Sequence, residues 1–414
     1  MQTHDAVANT IMQYIAEGPA VSLWSKSVAH ALKNHNFDQT PYPTSQFMEP
    51  SLLTEAAAVV GLSSVGLQTF TYSLGREAAT VKWLFENVTH ATPVQKVNLA
   101  YSLATTARYQ LAREVLSRVE VDRLFAEEAF AFLMVKFAVD NRLGETALHA
   151  ADFRQMADLL KSGSLAGSYA LDAAAQAIVW RTKAQSIPVA IVDELISMGF
   201  EAADGLGTGK HFREHISLSC FHRAYAMIPA AQGDAELTRH HMIKADEFAQ
   251  AAEPKTVAEQ DLVLNAKKTV LESRLKEYLY VRNDIPGAKA VGEELVAFDP
   301  HWSISLHELA EVCRKAGDIE QTKVLYEKAL NIGLPRKSFA QFKVGVCQAE
   351  LDDIDGALSS FSEVLLQDQT NVAAGINGYK VAQANGHANA DYFRAFLVDW
   401  KSQGMLPREY WELV

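Results

Sequence analysis

The sequence predicts an all-α chain, a right-handed α-solenoid of antiparallel helical hairpins, on three observations. Apolar residues recur at spacings of three and four almost throughout, and no stretch sustains an alternation of period two. Proline (12) and glycine (22) are scarce for 414 residues and fall mostly between the helical stretches. A pattern of small and large residues also repeats toward the C-terminus with a step of 34. With 49% apolar and 21% charged residues, the chain has a globular balance that excludes general disorder.

Helical patterns are legible near 5–16, 20–34, 51–60, 64–74, 76–89, 93–105, 109–118, 123–140, 145–161, 166–184 and 188–200. More follow near 211–231, 234–252 and 257–282, and then in regular pairs to the end. Two connections stand out. The segment 36–50 carries three prolines and predicts a surface loop anchored by Tyr42 and Phe47. The segment 202–210 (AADGLGTGK) carries three glycines and predicts a hinge or boundary. Three regions follow: an N-terminal helical region over 1–90, irregular hairpins over 91–204, and a repeat array over 211–414 that ends in capping helices.

The repeat begins at Thr269, with Leu275, Ala288, Leu295 and Pro300 at positions 7, 20, 27 and 32. The unit from Ser303 places Leu306, Leu309, Ala310, Gly317, Tyr326 and Ala329 at 4, 7, 8, 15, 24 and 27. A third unit starts one residue late at Ser338, with Val344, Gly345, Ala357, Phe361 and Val364 in matching slots; a fourth, from Val372, keeps the turn Gly386. Small residues at 8, 20 and 27 let paired helices approach closely, a glycine at 15 reverses the chain, and Asp284, Asp318 and Asp353 stand where they can cap the second helices. A single hairpin leaves an apolar face bare, so neighbours must stack. Residues 93–119 fit the template more loosely, through Leu99, Ala100, Ala112, Leu116 and Val119.

These units resemble the tetratricopeptide repeat (TPR) family over 269–365, most clearly in the Ser303 unit. Lys276 and Tyr379 depart from it at position 8, where the family prefers a small residue, which predicts looser or shifted helix contacts there. The resemblance implies a concave groove lined by the first helix of each unit. Here that wall consists of Tyr280, Ile304, His307, Glu311, Arg314, Phe339, Phe342, Val346, Ile376 and Lys380. Family members that clamp a peptide carboxylate use Lys at position 5 and Asn at 9. This chain has Ser273, His307, Phe342 and Ile376 at position 5, so that clamp is absent. An apolar centre between charged flanks suits an amphipathic helix or an extended apolar segment. The aromatic C-terminal tail (Tyr392, Phe393, Phe396, Trp400, Tyr410, Trp411) is expected to cap the array, with covering of the groove by that tail, partner docking and self-association as alternatives.

Chemistry is sparsely signalled. Residues 53–70 have the packing pattern of a helix-turn-helix, but Glu55 is the only charge from Ser51 to Gly75, and DNA reading needs cations. Gly205–Lys210 has the end of a phosphate-loop pattern without its first glycine, its Ser or Thr, or a preceding strand. His211 and His215 have metal-ligand spacing on one helix face; His222 is about 10 Å further along, and His240 or His241 would have to complete a site. No Ser/His/Asp or Cys/His grouping is evident. A net charge of −12 without clustered Lys and Arg argues against nucleic acid and anionic membranes.

Cys220, Cys313 and Cys347 have no metal spacing and predict buried thiols in a reducing compartment. No leader-like N-terminal segment or spanning helix is legible, and a cytoplasmic location is expected. The leading expectation is a non-enzymatic scaffold or adaptor that binds a protein or peptide, without a cofactor and with homo-oligomerisation open. The alternatives are a helical enzyme or accessory protein with a metal near His211, His215 and His240, and a TPR-type transcriptional regulator using 53–70.

Overall fold

The computed structural model of the chain describes residues 88–105, 109–184, 187–255, 257–298, 302–332 and 336–414. The helices expected before residue 76, most of 76–89, the loop 36–50 and the hairpin 53–70 lie outside the described residues. All regular elements among the described residues are helical, and they fall into two compact units divided between Asp284 and Ile285.

In the first unit, α1 (Pro93–Thr105) and α2 (Tyr109–Leu116) form a hairpin. They are followed by α3 (Ala126–Arg142), α4 (His149–Lys161), α5 (Gly167–Ala184) and α6 (Val189–Leu206). Then come α7 (Phe212–Tyr225), the short α8 (Met227–Ala231), α9 (Ala235–Ala251) and α10 (Val257–Lys276). Helices pack on the next in the chain and often on the one after: α1 on α2 and α3, α4 on α5 and α6, α5 on α6 and α7. That pairing is the signature of stacked hairpins, in which each pair buries the apolar flank its neighbour leaves open. Leu99, Ala100 and Ala112, the residues matched to template positions 7, 8 and 20, are fully buried. A Cβ on Gly199 would stand 2.6 Å from the Phe221 ring and 3.0 Å from Ala174, so α5 and the Phe221 ring of α7 both lie against the α6 backbone there.

The glycine run near 202–210 is a turn inside this unit. Helix α6 continues to Leu206, and the left-handed Gly207 (φ 60°) and Gly209 (φ 76°) then reverse the chain into α7. Helix α7 packs extensively on α5, and the division between compact units falls instead at 284/285. The helix expected over 211–231 is broken at Ala226, and the one over 145–161 starts late because Thr146–Leu148 form a 3-10 turn. Helix α10 ends in a π-turn, Glu277–Val281.

The second unit runs through α11 (Ile285–Phe298), α12 (Ser303–Lys315), α13 (Ile319–Ile332) and α14 (Lys337–Glu350). It closes with α15 (Ile354–Gln367), α16 (Val372–Ala384) and α17 (Ala390–Ser402). Each helix packs on the next, and α14 also on α16. This is a TPR-like α-solenoid of helical hairpins. Leu309, Ala310 and Ala329 of one repeat, and Val344, Ala357, Phe361 and Val364 of the next, are buried. Asp318 and Asp353 cap the second helices by accepting from the Gln321 and Gly356 amides at 3.0 and 3.1 Å.

Position 15 of all four repeats is left-handed: Asn283 (φ 52°), Gly317 (81°), Asp352 (60°) and Gly386 (60°). Asn and Asp tolerate that conformation better than other side chains, so the turn persists where the glycine does not.

The contact expected to be looser at Tyr379 is shifted and tight. Tyr379 is buried, and the neighbouring Gly378 takes the close-approach role, with the Phe393 ring of α17 against its backbone. Lys276 is solvent-exposed, and the π-turn follows it at once.

Candidate polypeptide-binding face

Within the second unit the first helices α12, α14 and α16 carry nine of the ten residues assigned to the wall. Tyr280 belongs to the π-turn of the first unit and is 51% exposed. The structure grades the remainder. Phe339, Phe342 and Val346 on α14 are half-buried, as are Glu311 and Arg314, and Lys380 is exposed. Ile304, His307 and Ile376 are only 7%, 6% and 6% exposed, so they form floor rather than open surface.

His307 serves as an aromatic plate. Its ring stacks on Phe339 (5.5 Å between centroids, 16° between planes) and meets Tyr326 edge-on. Neither ring nitrogen has a hydrogen-bond partner among the described residues. Burial foremost, then the nearby cations Arg336 and Lys343, hold its pKa down to about 3, so the ring is neutral. Burial likewise raises the thiol pKa of Cys313 and Cys347, which fits packing rather than reactivity.

The charged flanks are partly committed. Arg314 of α12 donates two hydrogen bonds to Glu350 of α14, at 3.2 and 2.5 Å, tying successive first helices together. Two basic groups stand at the apolar centre, Arg336 and Lys343, which lie over the Phe339 ring at 5.8 and 5.3 Å. The half-buried Glu311 of α12 faces the same aromatic group through Tyr326, so the centre carries charges of both signs. The arrangement combines an apolar, aromatic centre with charged side chains on the same helices.

The histidines considered as metal ligands are distributed differently. His211 precedes α7 and is exposed, His215 Nε2 lies 3.1 Å from the Thr208 carbonyl across the glycine turn, and His240 is exposed. The structure instead brings His222 and His241 together, Nδ1 to Nδ1 at 3.0 Å, with Phe248 stacked on His222. Burial foremost pushes their pKa values to about 3 and about 4, leaving two neutral rings in which one donates to the other. No group of three or more His, Cys, Asp or Glu suited to a metal occurs among the described residues.

One polar cluster escaped the sequence reading. Lys136 of α3 bridges Asp140 (2.8 Å) and Asp152 of α4 (2.7 Å), both aspartates being buried. The available signal was Lys136 interrupting an apolar helix, with Asp140 one turn on; Asp152 needed the fold. Among the cysteines, Cys313 and Cys347 are buried and Cys220 is half-buried. No described helix is long and apolar enough to cross a membrane.

The class defined by these features is a TPR-like helical repeat whose first helices carry an apolar face edged by charges. No family model matches the sequence, and no curated protein matches it. Among solved structures the chain is similar to the human IFIT1 dimer with PPP-AAAA, at 13% identity over 94% of this chain and 93% of that one, with a TM-score of 0.44. It is also similar to the C-terminal part of a TPR repeat-containing protein from Cytophaga hutchinsonii (14%, 73% and 93%, TM-score 0.33). A third likeness is to Naa15/Naa10 bound to HypK-THB (12%, 93% and 66%, TM-score 0.34). These scores are low, and the fold stands on the hairpin pairings and the repeated turn.

Proposed function

We propose that the chain is a protein-interaction scaffold that holds an amphipathic polypeptide segment against α12, α14 and α16. The observation that carries this reading is the set of half-exposed residues on α14, Phe339, Phe342 and Val346, with Arg336 and Lys343 over the Phe339 ring and Lys380 exposed on α16. An apolar anchor in a charged rim is the chemistry that helix-in-groove and extended-segment recognition uses. Stacked hairpins hold such a face in place with little rearrangement. We place this work in the cytoplasm, a reducing compartment that suits the buried Cys313 and Cys347 thiols.

The test is affinity capture from native lysate with the full chain, a Phe339→Asp/Phe342→Asp variant and a Lys343→Glu/Lys380→Glu variant. Phe125→Asp, at a 79% exposed site of the first unit, is the control. Thermal melts establish that each variant folds. Partners recovered with the wild type and the control should be lost from both face variants. Recovery of the same partners by every variant rejects the assignment, as does capture of none by the wild type.

A further inference from the structure

After α17 the chain turns at the buried Leu406, and Arg408–Leu413 form a two-turn 3-10 helix that brings Tyr410 to Lys380 of α16. Three residues make one such turn, so Tyr410 and Leu413 share a side. Those two and Val414 are half-buried and pack against the core cluster of α15, α16 and α17 that includes Ile376, the same cluster on which Phe342 and Val346 rest. Glu409, Trp411 and Glu412 stay exposed.

Polar contacts fix the segment. Lys380 Nζ lies 4.8 Å from the centre of the Tyr410 ring. Lys401 Nζ donates to the carbonyl oxygens of Trp411 at 2.9 Å and Val414 at 2.8 Å. The Trp411 indole donates to the Leu406 carbonyl at 3.0 Å. Lys380 occupies a wall position, so an aromatic side chain already sits where the repeat architecture would seat a ligand.

We propose that residues 408–414 are an intramolecular occupant of the α16 end of this face. The partner recognised there is a linear acidic segment of the same design, with an aromatic anchor, aliphatic residues on the same side and carboxylates facing outward. It binds by displacing 408–414. This rests on reading the face as a polypeptide site.

Two features make the occupant displaceable. It is only two 3-10 turns long, with no fully buried residue, the kind of element that opens locally at small cost. It is also held by side chains suited to any similar segment: the Lys380 and Lys401 ammonium groups accept a π-face, a carbonyl or a carboxylate alike. A tethered occupant competes at an effective concentration on the order of millimolar, so a free segment should bind the intact chain weakly.

The test uses a fluorescein-labelled peptide of residues 407–414 and fluorescence anisotropy. It is titrated into the full chain, a chain ending at Leu406, and a full-length Tyr410→Ser/Leu413→Ser variant, the last in case truncation prevents folding. Affinity should rise at least tenfold in whichever weakened chain folds, and K380E in that background should remove at least tenfold. Equal affinity for intact and weakened chains, or indifference to K380E, overturns the proposal. Lysate capture decides the parent reading separately: partners insensitive to the face variants would reject the face as a partner site, while the peptide titration would still decide what 408–414 occupies.

Discussion

Replacing Gly378 by alanine should destabilise the protein, although alanine is the better helix former. In an exposed helix interior that exchange gains about 1 kcal/mol from backbone entropy. Here the added methyl carbon would stand 2.3, 2.5 and 2.6 Å from three carbons of the Phe393 ring, closer than carbon atoms can pack. Phe393 is fully buried, so its ring cannot swing into solvent. Relief requires α16 and α17 to separate, and overpacking of this kind costs about 1–3 kcal/mol. With a contact this short the upper part of that range applies, and the net loss should be about 1–2 kcal/mol. Urea unfolding followed by circular dichroism reads this as a lower midpoint at unchanged slope. Gly378→Ala with Phe393→Leu should be less destabilised than the two single effects added together, because the smaller side chain makes room. A Gly378→Ala protein as stable as the wild type would refute the close approach of α16 and α17.

Three further outcomes follow from the polar contacts. His222 and His241 are depressed to about 3 and about 4 in the fold, against about 6.5 when unfolded, so below pH 6.5 the unfolded chain binds more protons and stability falls as pH falls. The loss is at most about 1.4 kcal/mol per pH unit per histidine; the urea midpoint should therefore drop between pH 7 and 5, less steeply in His222→Phe, and a flat profile would contradict the buried pair. Lys136→Met leaves Asp140 and Asp152 without their cation and should cost about 3 kcal/mol by thermal melt; adding Asp140→Asn and Asp152→Asn should restore most of it, and an unaltered melt for Lys136→Met alone would disprove the triad. A double-mutant cycle on Arg314 and Glu350 should give a coupling of about 0.5–1 kcal/mol that shrinks in 1 M salt, since the pair is only partly buried.

The sequence made the hairpins legible because a repeat writes the same packing constraint several times. Small residues at position 8, aromatic residues at 24 and caps before the second helices each name a contact that needs no knowledge of distant chain. The turn at position 15 was half legible: glycine announces a left-handed residue at 317 and 386, whereas Asn283 and Asp352 adopt it without announcing it. The exchange of roles between Gly378 and Tyr379 was hidden because Phe393, which decides it, lies on the next helix.

The candidate face was legible as positions and not as exposures. Position 5 marks a ligand-facing residue in an open array, yet His307 and Ile376 are covered. His222 and His241 lie 19 residues apart on helices whose faces can be drawn, but which face meets which depends on how α7 and α9 pair. Lys136 reaching Asp152 is the same problem across a connection containing a 3-10 turn. In each case periodicity places a side chain on a stripe, and only packing between stripes chooses its neighbour.

Hydrogen exchange on the chain with and without a captured partner tests the role assigned to the first helices most directly. Slowed exchange should appear in α12, α14 and α16, with α13 and α15, the second helices of the same hairpins, unchanged. Protection confined to α13 and α15, or to the first unit, would mean that the partner is held elsewhere.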